Sequence, residues 1–415
     1  MAPNTRIAEL ASIIQEHTSK FDAYLASNNL PSPSFDPSHP LRLSLSPDVQ
    51  ASRDAVLEAS DELTALMLGP VESLVPPPNS WTSVTALQRF RIAKSFPLNS
   101  TSTFNKIAES CSIPESDARS LIRHAMTFYI FHEPSPGVVA YTVSSRALAE
   151  IPPVEDFIGF ISEEMLPAST RLVDAMIKWP GSQESNETGY ALANATDVPM
   201  MKYISKDVRR AQQMGRAMGF LKSRQSESVQ RVLESFDWGD AAEGLLVDVG
   251  GAKGTVAFEL LRFLPKIKCI VQDQTELVKD TETPDDLQER LSFMAHDFFQ
   301  EQPVKGADTY LLSNVLHDWS DKYAAQIIRN LVLALKKGAR VLVCDRCLPA
   351  PCQLSMYKER KQRLMTVRAD DLYMKGIQNA KGRDPSDWEQ LFESVDSRFK
   401  VVYGGHSRWL GAIND

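Results

Sequence analysis

Four groups of residues in the second half of the chain have the types and spacing to do chemistry together. The run LLVDVGGAKGTVAFELL puts Asp248, Gly250, Gly251 and Gly254 where an apolar strand gives way to a helix. Glycines at such a junction permit a tight turn and let a ligand approach the backbone, at the carboxyl edge where sheets of this kind bind ligands. Asp273 closes the next apolar run, the position from which a carboxylate accepts hydrogen bonds from both ribose hydroxyls. A nicotinamide dinucleotide would use the same acid, so these residues alone leave the cofactor open. The third run ends in His296-Asp297-Phe298-Phe299, which offers Asp297 to an adenine amino group and Phe298 as an aromatic face beside the base. The plain alternatives are a helix cap for Asp297 and a core position for Phe298. His317, in LHDWSD, follows the fourth run on the same edge. A lone histidine is more often structural, but one at a strand's carboxyl end beside a ligand pocket is a candidate acid or base near neutral pH.

A parallel sheet is needed to bring these residues to one edge, and the pattern predicts one. From residue 245 the short apolar runs LLVDVG, KCIVQD, LSFMAHD, DTYLLSNVL and ARVLVCDRCL alternate with helical stretches such as TVAFELLRFL and KYAAQIIRNLVLALKK. That alternation argues for a mostly parallel sheet covered by helices on both faces. FKVVYGGHS and WLGAIND close the chain with no helix between them, as a terminal hairpin or a reversed edge strand would. Upstream, residues 1–70 read as two or three helices broken by NNLPSPSFDPSHPLRLSLSPD, whose prolines forbid regular structure. After a second break, GPVESLVPPPNS, comes a helical stretch. Helix, turn, helix and two short strands around the Pro-Ser-Pro-Gly turn at 134–137 then follow, the order of a winged helix. The predicted fold class is α/β: a Rossmann-like, mostly parallel sheet with a C-terminal reversed strand, preceded by an all-helical plus winged-helix domain. The expected divisions are a helical arm over 1–80, the winged helix over 81–155, connecting helices over 156–240 and the catalytic domain over 241–415.

Composition narrows the class of function. A chain of 415 residues is long enough for two cores, and 43% hydrophobic with 24% charged residues is ordinary for a globular protein. No apolar run approaches the roughly 20 residues that span a bilayer. MAPNTRIAELASIIQEH lacks the continuous apolar stretch of a secretory signal, so a cytoplasmic location is expected. Cys344, Cys347 and Cys352 raise zinc, but the first two lie in an apparent strand, where residues three apart face opposite sides, and no fourth ligand follows. No metal is expected. A net charge of −8 disfavours a nucleic-acid partner. The second helix of the winged helix carries only Arg119, Arg123 and His124 before turning apolar, which suits packing better than groove reading.

Taken together, VDVGGAKG, IVQDQTELV, HDFF, LLSNVLHDWSD, VLVCDRCLP, DLYMKGIQNAKGRD and SRFKVV resemble the motifs of S-adenosylmethionine-dependent small-molecule O-methyltransferases, the plant caffeate-type and fungal polyketide-type enzymes. The resemblance runs from about residue 80 to the end. It implies S-adenosylmethionine as cofactor and a homodimer built through the winged-helix half. It also implies that His317 is the general base for a substrate hydroxyl, and that Asp345 matches an acidic position, usually glutamate, that supports the base. Aspartate is one methylene shorter, which makes its reach to His317 a point for the structure to settle. Met365, Leu372 and Met374 fall on a helix that lines the acceptor pocket in that family, with Met218 in GRAMGF a further candidate; methionines at helical spacing are otherwise plain core.

The chain departs from the family at one place that bears on mechanism. Where the family reads NAKERT, this sequence reads Asn379-Ala380-Lys381-Gly382-Arg383-Asp384, so Gly382 stands where a glutamate usually flanks the base. Asp384 is the nearest carboxylate in sequence that could compensate. Three functions therefore compete. The first is methyl transfer to an aromatic or polyketide-derived hydroxyl. The second is a pericyclic or dehydration reaction that uses the bound sulfonium charge electrostatically. The third is a winged-helix DNA-binding regulator, which the acidic charge and the intact cofactor motifs oppose.

Overall fold

Proline punctuation sets the helices of the front of the chain. In the computed structural model, which describes residues 5–74, 80–223, 238–345, 347–350, 353–361, 367–404 and 408–413, two long helices pair across the Pro/Ser-rich connector. The first is Arg6–Ser27 and the second Pro47–Glu72. Pro47 sits at the first helical position, where its missing N–H costs nothing, and the second helix loses helical geometry at Gly69-Pro70. Next come β1 (Thr101–Thr103), a helix Phe104–Cys111, a helix Glu115–Met126, β2 (His132–Ser135) and β3 (Val138–Ala140). The strands form an antiparallel sheet in the order β1-β3-β2. Ile107, Ile122, Phe131, Val139 and Tyr141 fill its core. The basic groups of the second helix are engaged locally: Arg119 pairs with Glu115, and Arg123 holds Glu133 with two bonds of 2.9 Å. That pair, with a third bond from the Gly137 N–H, pushes the Glu133 carboxyl down to about 2.

The runs from residue 245 onward are strands of one seven-stranded sheet. They are β4 (Leu245–Val249), β5 (Lys268–Asp273), β6 (Leu291–Ala295), β7 (Thr309–Ser313), β8 (Arg340–Cys344), β9 (Phe399–Gly404) and β10 (Arg408–Ile413). Their order is β6-β5-β4-β7-β8-β10-β9. The first five are parallel, while β10 runs antiparallel to both β8 and β9. The closing hairpin is thus also the reversed element: β10 inserts beside β8 and leaves β9 at the edge. Both faces are covered. Val247, Tyr310, Leu312 and Val341 pack on one side with Ile327, Ile328 and Trp388, whereas Leu246, Leu311 and Leu342 pack on the other with Leu260 and Leu261. Alternate residues of each strand serve different cores, as a period of two requires.

The chain divides into two units whose borders do not follow sequence order. One comprises Met1–Glu164, Ser205–Leu221 and Leu354–Thr366; the other comprises Met165–Ile204, Lys222–Gln353 and Val367–Asp415. The helices expected to connect the halves are therefore shared between the units. Arg209 and Arg210, on the helix Val208–Ser223, bond Glu163 and Glu164 within the first unit. Lys358, from the late helix Met356–Lys361, pairs with Glu58 at 2.7 Å in the same unit. Among the described residues, no helix is long and apolar enough to cross a membrane.

Candidate functional site

The glycine turn leaves β4 and is wired to the end of β5. Gly250 and Gly251 donate their N–H groups to the Gln272 carbonyl at 2.8 and 3.1 Å, and Ala252 donates to Asp273 Oδ2 at 2.8 Å. Gly250 has φ of 76°, and a Cβ there would lie 2.9 Å from Val315 Cγ2, so both conformation and space demand glycine. A Cβ at Gly251 would collide with the Asp248 carboxylate, which is buried beneath the turn. Asp248 therefore underlies the turn and shapes it from within. Gly254 caps the helix Thr255–Phe263. Asp273 uses one lone pair on each oxygen, for Ala252 N–H and Gln274 N–H. A carboxylate has further acceptor sites, which leaves capacity for hydroxyls.

The third strand end contributes from the other side. Phe298 Cε1 would lie 3.6 Å from a Cβ at Gly250, which puts its ring against the turn. The ring also packs edge-on against Phe299 and Trp319, as the core reading of Phe298 expects. Asp297 is exposed and accepts from Phe299 N–H at 2.9 Å, a tight local turn with no helix behind it. A turn with glycine at three of its five positions, an acid with spare acceptor sites and an aromatic face are features that fit a nucleoside.

Parallel pairing of β7 with β8 brings His317 and Asp345 together. Ser313 lies opposite Cys344, and Asn314 N–H donates to the Cys344 carbonyl at 3.1 Å, so the two strands release their chains side by side. Asp345 then receives three bonds: Val315 N–H at 3.1 Å, His317 N–H at 3.1 Å and His317 Nδ1 at 2.8 Å. The shorter aspartate reaches because the strand ends are adjacent. An ionised carboxylate only accepts, so in this bond the proton is carried by Nδ1. The Asp345 side chain is wholly buried and the His317 side chain is 14% exposed, so the bond is shielded on one side and approachable on the other. Nε2 also lies 3.3 Å from Asp318 Oδ1, giving the ring a second carboxylate.

The segment around Gly382 is organised differently from the sequence expectation. Asp384 does not compensate for the missing glutamate. It caps the helix Pro385–Val395 in a reciprocal capping box with Asp387. The carboxylate nearest Gly382 comes instead from Asp371, one turn into the helix Val367–Gln378. Its Oδ1 accepts from Gly382 N–H at 2.7 Å and would be 2.9 Å from a Cβ at that position. Met374 is half-buried and Leu372 exposed on that helix, Met218 is half-buried on the helix Val208–Ser223 of the first unit, and Met365 lies outside the described residues. Cys344 ends β8 in the core, while Cys347 lies beyond the strand in a bridge to Arg383; Cys352 is outside the described residues. Among the described residues no three His, Cys, Asp or Glu side chains are grouped to hold a metal.

Sequence reasoning passed over Asp318, Asp371 and Arg383. Asp318 was visible as the neighbour of His317. Arg383 is fully buried, and a guanidinium between a glycine and a helix cap carries no local mark of burial.

Comparison with known proteins addresses the family and the fold. A family model described as an O-methyltransferase domain matches residues 182–396. The O-methyltransferase kk1A of Curvularia clavata is 36% identical over 401 residues, covering 96% of this chain and 93% of that protein. The structure of OxaC in complex with SAH and oxaline superposes with a TM-score of 0.70, at 17% identity over 98% of this chain and 100% of its own. LepI in complex with SAM gives 0.68, at 17% identity over 97% of this chain and 98% of that one. At such identities the two structures speak for the fold.

Proposed function

This chain belongs to the O-methyltransferase family, and we propose that it methylates a hydroxyl of an aromatic or polyketide-derived secondary metabolite, with His317 as general base. Its cofactor is S-adenosylmethionine, which when bound supplies an electrophilic methyl on a positively charged sulfur. Gly250, Gly251 and Gly254, with Asp248 beneath them, would admit its backbone-facing side. Asp273 would take the ribose hydroxyls, and Asp297 and Phe298 the adenine.

The single observation that carries the reading is the 2.8 Å bond from His317 Nδ1 to Asp345. A phenol of pKa about 10 is only about 0.1% ionised at pH 7, which withholds roughly 4 kcal/mol from attack by its oxygen. Transfer of that proton to Nε2 as the new bond forms removes the penalty. The imidazolium then lies between Asp345 and Asp318, whose negative charges favour it over the neutral ring. Met374, half-buried on the helix Val367–Gln378, is proposed to give the acceptor a soft apolar contact. The first unit exposes Met67, Val71 and Leu74, the last 82% accessible, which supports a homodimer formed through that half of the chain.

The test is incubation with S-adenosylmethionine carrying a labelled methyl and a panel of phenols, read by mass. A gain of one methyl unit is expected, nearly abolished in His317→Ala. Cofactor binding with no methylated product from any phenol would overturn the reading. Gly382 supports a second one, in which the cofactor's charge assists a pericyclic or dehydration step; turnover without S-adenosylhomocysteine would select it.

A further inference from the structure

Arg383 has no part in the scheme above, yet it is the most completely buried cation described in the molecule, with no accessible surface. Burial strips a guanidinium of water and must be offset by partners for its N–H groups. The turn that bears His317 supplies them. Nη1 donates to the Leu316 carbonyl at 2.9 Å and Nη2 to the Trp319 carbonyl at 2.9 Å. Nε donates to Asp321 Oδ1 at 2.9 Å, and the guanidinium lies over the Trp388 ring, 5.1 Å from its centroid.

One peptide unit shows what this arrangement does. The Leu316 carbonyl and the His317 N–H belong to the same rigid plane. Arg383 holds the oxygen end of that plane and Asp345 holds the N–H end. Arg383 also reaches the other partner: its own carbonyl accepts from Leu348 N–H at 2.8 Å, and Cys347 bridges to it, two residues after Asp345. A single residue thus ties the turn of the base to the exit of the strand that carries its carboxylate.

We propose that Arg383 is a positioning residue that sets the register between His317 and Asp345. The proposal deepens the reading of His317 as the base and rests on it. A displacement of about 1 Å at reacting groups costs on the order of 10²-fold in rate. Lysine cannot replace the planar fork, because one ammonium cannot span both carbonyls and the Asp321 carboxylate in the same geometry.

The test uses full-length Arg383→Met and Arg383→Lys, each alone and combined with His317→Ala. Cofactor binding by calorimetry is expected to stay within about twofold of the parent. With a phenol that the parent methylates, kcat is expected to fall about 10²-fold in Arg383→Met and less in Arg383→Lys, with little change in KM. Neither substitution should lower the residual rate further in the His317→Ala background, since coupled residues are not additive. The NMR resonance of the His317 Nδ1 proton, identified by its loss in His317→Ala, should shift or exchange out in both variants. Arg383→Lys keeps the buried charge and serves if Arg383→Met does not fold. An unmoved Nδ1 resonance, or equal losses in both backgrounds, overturns the inference. Full activity in His317→Ala would instead sink the base reading, and the Nδ1 resonance would still decide the role of Arg383.

Discussion

The proposed cofactor turn and the turn that carries His317, the proposed base, sit at neighbouring strand ends of one sheet, but they are held by different means. The cofactor turn is held by its own main chain. Gly250, Gly251 and Ala252 reach residues 272 and 273, within one strand–helix–strand unit. The base turn is held by side chains from far along the chain: Asp345 is 28 residues from His317, and Arg383 is 67 residues from Leu316. Contact between the two passes through Val315, which packs against Gly250 and donates to Asp345. A turn built on backbone geometry tolerates change in the side chains beyond it but no added Cβ. A turn built on distant side chains tolerates backbone variation but depends on each charged partner.

The largest expected effect falls on the second region alone. His317→Ala should cut methyl transfer by about 10²–10⁴-fold while cofactor affinity stays within a few-fold, because a base acts on the substrate proton and not on the nucleoside. Loss of both together in a calorimetric and kinetic assay would erase the distinction. Gly250→Ala should do the reverse. Strain at positive φ and the clash with Val315 are worth on the order of 1–3 kcal/mol, so cofactor affinity should weaken by about 10- to 100-fold. Since the clash is with Val315, Val315→Ala in the same chain should recover part of the loss.

A smaller effect sharpens the comparison at Gly382. If the side-chain-built region only lacked its family glutamate, Gly382→Glu would raise kcat. Asp371 already occupies the space beside that position, so the substitution should lower kcat by a few-fold, and a rise would show that the site is open. The mildest test is acidity. Burial alone would raise the Asp321 carboxyl, but Arg383 and Lys381 outweigh it and hold it below the usual aspartate range. A depressed acid contributes stability that is present above its unfolded pKa of about 4 and is lost as pH falls through the lower folded value. The melting temperature of the parent should therefore drop more steeply below about pH 4 than that of Asp321→Asn; parallel curves would remove this ion pair from the account.

The same contrast explains what could be read before the structure. The glycine turn and its neighbours were legible because their requirements are local: glycine where φ is positive, an acid at a strand's last residue, an aromatic one strand further. His317 was legible from its place after a strand, and Asp345 from the resemblance, but whether the shorter acid would reach was not. That depended on β7 and β8 lying side by side. Asp384 was the nearest carboxylate in sequence and is a helix cap, while Asp371, eleven residues back on a helix, is the carboxylate nearest Gly382 in space. Distance along a chain predicts contact only within a turn or a hairpin.

Sequence alone determined the class of sheet, the helix pair broken by prolines and the place of the glycine turn, because each follows from hydrophobic period and from the φ angles that glycine and proline permit. Tertiary structure alone decided the insertion of β10 beside β8, the reach of Asp345 to the His317 ring and the burial of Arg383. Those depend on strand order and on charges that meet across tens of residues, where no local propensity acts and only the whole set of packed contacts selects one arrangement.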